Sequence, residues 1–206
     1  GAVYVFRTTD GGATYGQVAK PTASDAATYD RFGYSVAIDG DTVVVGAYAK
    51  NGYTGAVYVF RTSDGGATYV EVAKLTAADA AAEDLFGFSV AIDGNTVVVG
   101  ARYDDDAGSM SGSAYVFLTT DGGATYDQVA KLTAADAAAE DQFGVSVAID
   151  GDTIVVGADG DDDAGTRSGS AYVFSTTAAL GSDSATRAGG TLATALLAFA
   201  ATALAL

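Results

Sequence analysis

Apolar residues along this chain fall into short runs that alternate or are fully apolar, and small polar residues separate them. Tyr34 to Ile38 alternates, as a strand with one buried face does. Thr42 to Val45 is β-branched and continuously apolar, the pattern of a strand covered on both sides. Asp39-Gly40 stands between them, and that pair favours a tight hairpin because both residues tolerate positive φ. Two further runs, Gly55 to Phe60 and Tyr69 to Ala73, complete a set of four strands.

The set is copied. Gly1 to Phe6 returns at Gly55 to Phe60, Gly112 to Phe117 and Gly169 to Phe174, at intervals of 54, 57 and 57 residues. Phe32-Gly33, Phe86-Gly87 and Phe143-Gly144 recur in step. The three-residue difference lies in the loop between the second and third strands, where Ala47 to Gly55 is shorter than Ala101 to Gly112 or Ala158 to Gly169. Four short antiparallel strands repeated at this spacing predict an all-β chain of β-propeller blades. The alanine-rich segments Ala77 to Asp84 and Ala134 to Asp141 favour helix by propensity but are too short to hold one alone. They read as connections between blades, with one helical turn at most.

These units resemble the FG-GAP repeat, the blade of integrin α-chain propellers and of many bacterial and algal surface proteins. The resemblance rests on Phe32-Gly33 with Gly46-Ala47, Phe86-Gly87 with Gly100-Ala101, and Phe143-Gly144 with Gly157-Ala158. The family's proline after Gly-Ala is absent from all three. Inside each unit, Thr62 to Tyr69 is similar to the Asp-box hairpin of other propellers, and Thr8 to Tyr15 and Thr119 to Tyr126 repeat it. In such a turn the carboxylate accepts N–H groups and the glycines supply positive φ.

Blade units fall at about 1–31, 32–85, 86–142 and 143–174, so residues 1–174 make about three and a quarter blades, a partial propeller. Closed rings hold roughly 4–8. Gly1 opens mid-pattern, and the expectation is that earlier sequence supplies further blades.

Charge narrows the chemistry. Acidic residues number 26 against 10 basic, a net −16, and there is no Cys and no His. Zinc sites of the usual kind and Ser-His-Asp or Cys-His catalysis are excluded. Strong acidity argues against nucleic acid as a partner. The resemblance implies a calcium loop between the first and second strands, but Asp39-Gly40-Asp41, Asp93-Gly94-Asn95 and Asp150-Gly151-Asp152 are too short to enclose the ion and read as turns. A different cluster stands out: Asp104, Asp105 and Asp106 in one unit, and Asp159 with Asp161, Asp162 and Asp163 in the next. Crowded carboxylates stay solvated or hold a divalent cation such as Ca²⁺. Glu83, Asp84, Glu140 and Asp141 are expected nearby, because this loop and the connection leave a blade on one face. No buried, asymmetric acid–base pair is visible, so no catalysis is expected. Tyr4, Tyr58, Tyr115 and Tyr172 share one position per unit and read as blade packing.

Composition shifts after Phe174. Residues 175–190 are small and polar, and 191–206 form an apolar tail. The uncharged stretch from Leu192 to Leu206, at ~1.5 Å per residue, reaches about 22 Å, short of a ~30 Å bilayer core. Small residues at Gly181 and Ser182, a spacer and an apolar end match a GPI-attachment signal. A short membrane anchor and a plain amphipathic or disordered tail are the other readings. The first two place the chain outside a cell. Two functions follow: a cell-surface binding or adhesion module for a protein or glycan ligand, and an architectural repeat protein of a wall or coat. The copies differ most in the loop after Gly-Ala and at Tyr34, Phe88 and Val145, which favours binding.

Overall fold

The computed structural model describes residues 1–176 and the short strand Thr186–Arg187. The linker and tail positions, Gly181 and Ser182 among them, otherwise lie outside the described residues.

Three four-stranded antiparallel sheets stack in chain order, each following the four-run pattern. The first holds β3 (Val36–Asp39), β4 (Thr42–Ala47), β5 (Ala56–Arg61) and β6 (Val70–Leu75). The second holds β7 (Phe86–Asp93), β8 (Thr96–Ala101), β9 (Ser113–Leu118) and β10 (Asp127–Leu132). The third holds β11 (Phe143–Asp150), β12 (Thr153–Ala158), β13 (Ser170–Ser175) and β14 (Thr186–Arg187). A two-stranded sheet of β1 (Val5–Arg7) and β2 (Gly16–Ala19) precedes them. The result is a nearly all-β, partial propeller whose blades pack face to face, β7 against β3 and β4, and β11 against β7 and β8.

The continuously apolar strand is buried along its whole length: every residue of β4 is inaccessible or nearly so. Val44, Val57 and Val59 of the first blade meet Val90, Ile92, Val97 and Val99 of the second. The same packing joins Val98 and Val116 to Ile154 and Val156. At the first blade's other face the equivalents of Val90 and Ile92, each 9% exposed, are Val36 and Ile38, which are 56% and 61% exposed.

The Phe-Gly and Gly-Ala pairs are the joints. Gly87 and Gly144 adopt φ of +86° and +89°, and each bulges the first strand of its blade. The bulge turns its carbonyl toward the preceding blade, where Ser35 Oγ donates to Gly87 O and Ser89 Oγ to Gly144 O, both at 2.8 Å. Gly46 and Gly100 lie against these same carbonyls, so closely that a Cβ at either position would collide with backbone. The neighbouring phenylalanine wedges edge-on beneath the third strand. Phe86 meets Tyr115 and Phe117 at 5.5 and 5.9 Å, and Phe143 meets Tyr172 and Phe174 at 5.4 and 5.9 Å.

The Asp-box turns form as their residues dictate. Asp64 accepts the N–H groups of Ala67 and Thr68, each at 2.9 Å, and the hydroxyls of Thr62 and Thr68. Arg61 packs against the Gly123 turn and Arg7 against the Gly66 turn, so each box also touches the adjacent blade. The alanine-rich connections are not helical. Each is a pair of tight turns closed by its own acid, with Ala81 N–H donating to Asp84 and Ala138 N–H to Asp141, both at 2.7 Å.

Gly100→Ala should cost about 3 kcal/mol, because the added carbon forces two blades apart. Gly16→Ala, with nothing nearby, should change stability by less than about 0.5 kcal/mol. Urea denaturation of the two variants beside the parent checks this.

Candidate functional site

The loop between the second and third strands and the connection to the next blade meet on one face, as the repeat predicts. Tyr103 N–H donates to Asp84 O, and Glu140 N–H to Ser109 O. Two features are built there.

The first is an ionic centre under the repeated tyrosine of each blade. Tyr58, Tyr115 and Tyr172 are essentially inaccessible. Their hydroxyls donate to Asp25, Asp104 and Asp161 at 2.6, 2.7 and 2.8 Å. Of the predicted triplet, Asp104 and Asp106 converge, but their companion is Asp79 from the connection, not Asp105. Asp105 turns away and accepts Met110 N–H at 2.7 Å, closing its own loop. In the next blade Asp161 and Asp163 converge with Asp136, and Asp162 stands outside. Glu83 and Glu140 do not enter either group, and Asp84 and Asp141 are buried caps whose burial holds their carboxyl groups above the usual range.

The second centre already contains a cation. Lys131 Nζ lies 2.7 Å from Asp79 and 3.0 Å from Asp104, and also pairs with Asp106. Burial alone would raise Asp79 and lower Lys131. The ion pairs outweigh it, leaving Asp79 below and Lys131 above their ordinary values. The first blade solves the same problem with reversed signs. Lys50 stands third after Gly46-Ala47, where Asp104 and Asp161 stand in the longer loops. It is 4% exposed and reaches Asp30 at 2.8 Å and Asp25 at 3.3 Å. The hydrogen bond from Lys74, then that from Tyr58, holds Asp25 well below the usual range. In register, Arg187 lies opposite Tyr172 as Lys131 lies opposite Tyr115 and Lys74 opposite Tyr58. In each group of three the carboxylate oxygens lie within 4.8 Å of one another, yet three acids fall short of the six to eight oxygens Ca²⁺ takes. Water or backbone would have to supply the remainder.

The second feature is a strip of rings. Tyr34 lies 4.6 Å from Tyr48 and 4.9 Å from Phe88, and Tyr48 lies 5.7 Å from Phe88 and 6.4 Å from Tyr53. Arg102 extends the strip: its guanidinium sits 4.5 Å from the Phe88 ring and 4.6 Å from that of Tyr103, and donates to the Tyr103 hydroxyl at 2.9 Å. Tyr34 and Tyr53 are half exposed. The strip draws together the two positions at which the copies differ most, the residue after Phe-Gly and the loop after Gly-Ala. They adjoin because the bulge pairs Gly33 N–H with Gly46 O at 3.0 Å. Sequence variation was its signal; that the varied positions touch required the fold. Asp25, Asp79 and Asp136, and the strand lysines Lys74 and Lys131, had a signal too, one fixed place per repeat.

The profile of the FG-GAP repeat family matches residues 15–60, 69–117 and 126–174, together well over half of the chain. No curated protein matches it. Among solved structures it is similar to the crystal structure of Saccharomyces cerevisiae Sqt1, at 12% identity and a TM-score of 0.43. That likeness covers 72% of this chain and 32% of the other, so the chain spans about a third of its length.

Lys131→Met should cost about 2–3 kcal/mol at neutral pH, since Asp104 is left buried beside two uncompensated acids. The contribution of Asp79, whose pKa is depressed, is present above its unfolded value near ~3.9 and fades as pH falls through the folded value. That of Lys131, whose pKa is raised, is full below its unfolded value near ~10.4. The loss should therefore be largest between about pH 4 and 10 and shrink in acid. Millimolar Ca²⁺ should raise the melting temperature of this variant more than that of the parent. Thermal melts across pH, with and without the ion, measure both effects.

Proposed function

Because the chain belongs to the FG-GAP repeat family, we propose that it is a non-catalytic binding module that works outside the cell. It presents the loop face of its blades to a protein or glycan. The observation that carries this reading is the aromatic strip. Tyr34, Tyr48, Tyr53 and Phe88 are placed at the face by positions that differ from copy to copy, whereas the residues joining the blades repeat. Aromatic side chains held in water on one face are what binding surfaces use, because a large rigid ring gives contact area at low entropic cost. The buried acids of this face are engaged with lysine, tyrosine or their own turns: Asp104 with Lys131 and Tyr115, and Asp84 and Asp141 with the N–H groups of Ala81 and Ala138. The extracellular setting is supported by the family. No helix of the described residues is long and apolar enough to cross a membrane. The lipid attachment at Gly181 or Ser182 remains part of the proposal.

A second reading has its own observation. Val36 and Ile38 leave an apolar face open at one end of the stack, and Val155 and Val173, each 36% exposed, do so at the other. Their equivalents pack together at both interior joints, so ends of this kind suit further blades or an array.

An array of immobilised glycans and matrix glycoproteins, probed with the labelled chain, tests the first reading. Retention by a subset of spots, reduced at least about tenfold by Tyr34→Ala with Phe88→Ala, is expected. Absence of retention, together with concentration-dependent sedimentation that Ile38→Asp abolishes, would favour the architectural reading instead.

A further inference from the structure

We infer that the aromatic strip takes an acidic polysaccharide, a chain of uronic-acid sugars, with ring faces seated on Tyr34, Tyr48 and Phe88 and a carboxylate held by Arg102. This rests on the reading of the loop face as a binding surface and names the ligand class.

Charge carries the argument. In a chain of net −16, the described cations are few and mostly employed. Lys50, Lys74 and Lys131 sit within the ionic centres, and Arg167 faces Glu140 at 3.9 Å. Arg7 and Arg61 pack under turns of the adjacent blade, and Lys20 lies over Tyr4. Arg102 and Arg31 remain. Like Arg7, Arg61 and Lys20 they make no ion pair among the described residues, but these two border the strip: Arg102 stacks on Phe88, and Arg31 lines a cleft with Asp30 and Tyr34. Two of these unpaired guanidinium groups placed beside the rings of the strip, with Tyr34 half exposed, are complementary to an anion. A guanidinium held flat by two rings is also oriented in advance for a carboxylate.

The same surroundings favour sugar over peptide. Extended peptides gain much of their affinity by pairing with an open strand edge. Here the backbone beneath the strip is already used: Tyr34 N–H donates to Arg31 O, Gly46 N–H to Ser35 O and Phe88 N–H to Leu85 O. What remains is ring faces, phenol hydroxyls and guanidinium groups. Those suit a ligand with apolar C–H faces, hydroxyls and carboxylates.

Calorimetry with three probes tests this: a hexamer of 1,4-linked uronic acid, the neutral 1,4-linked hexose hexamer, and hexaglutamate. Tyrosine emission gives a second readout, since the chain has 12 Tyr and no Trp. The uronate hexamer should bind best, and its affinity should fall with salt. It should weaken about tenfold in Arg102→Gln and less in Arg31→Gln, whose exposed position leaves folding intact. Melting temperature and circular dichroism confirm that each variant is folded. Equal binding of the neutral hexamer, or uronate binding unchanged in both variants, would overturn the acidic ligand while leaving a binding face. Preference for hexaglutamate would replace it with an acidic protein ligand. No binding of any probe overturns the inference, and the broader glycoprotein array then decides separately whether the face binds at all.

Discussion

Everything in this molecule is spaced by one contact: a glycine of one blade lying against a glycine carbonyl of the next. Gly46 meets Gly87 and Gly100 meets Gly144, at distances that leave no room for a side chain. The bulged glycine supplies the carbonyl because only a positive φ turns it outward, and a serine of the preceding blade, Ser35 for Gly87 and Ser89 for Gly144, fastens it. With the backbones this close, valines from facing sheets interdigitate and the phenylalanine beside each bulged glycine has one place to go, beneath the third strand. A sheet stack set so tightly tolerates little change at its joints. Variation is pushed outward into loops.

That displacement explains why the candidate site lies where it does. The bulge brings the end of the second strand beside the start of the first, so the two freest positions of the repeat become neighbours. In the first two blades they are Tyr34 with Tyr48 and Phe88 with Arg102, and rings of adjacent blades meet across the joint. In the third they are Val145 with Asp159, and the strip ends. The packing rule is uniform, yet the surface it carries changes from blade to blade.

Most of the fold was legible because its signals are local. Period, strand alternation, Asp-Gly hairpins and Asp-box turns each act within a few residues, and each formed as its chemistry requires. The candidate site was less legible. Asp104, Asp105 and Asp106 read as one cluster, but consecutive side chains of a loop point in different directions, and one of them was needed to hold the loop itself. Blade topology put Glu83 and Asp84 on the same face, and Asp84 does lie beside Asp104, close enough for the two charges to be felt. The connection folds back so that Asp84 closes its own turn, and Asp79, five residues earlier, reaches the centre. Alanine propensity for helix was overruled for the same reason: the capped turns and the joints on either side fix the path of the chain.

The ionic centres show what the repeat demands and what it leaves free. The first blade buries a lysine from the loop between two aspartates; the second buries an aspartate at that same loop position and brings its lysine from the fourth strand. Sign is exchanged while the hydroxyl of the repeated tyrosine keeps its acidic partner. In these two blades a buried charge is kept beside an opposite one, and the residue that supplies it is free to change. Lysines spent on neutrality inside the blade are unavailable to a ligand above it. Arg31 and Arg102 at the rim stand outside these ion pairs, so any anion the face takes would have to be met by them.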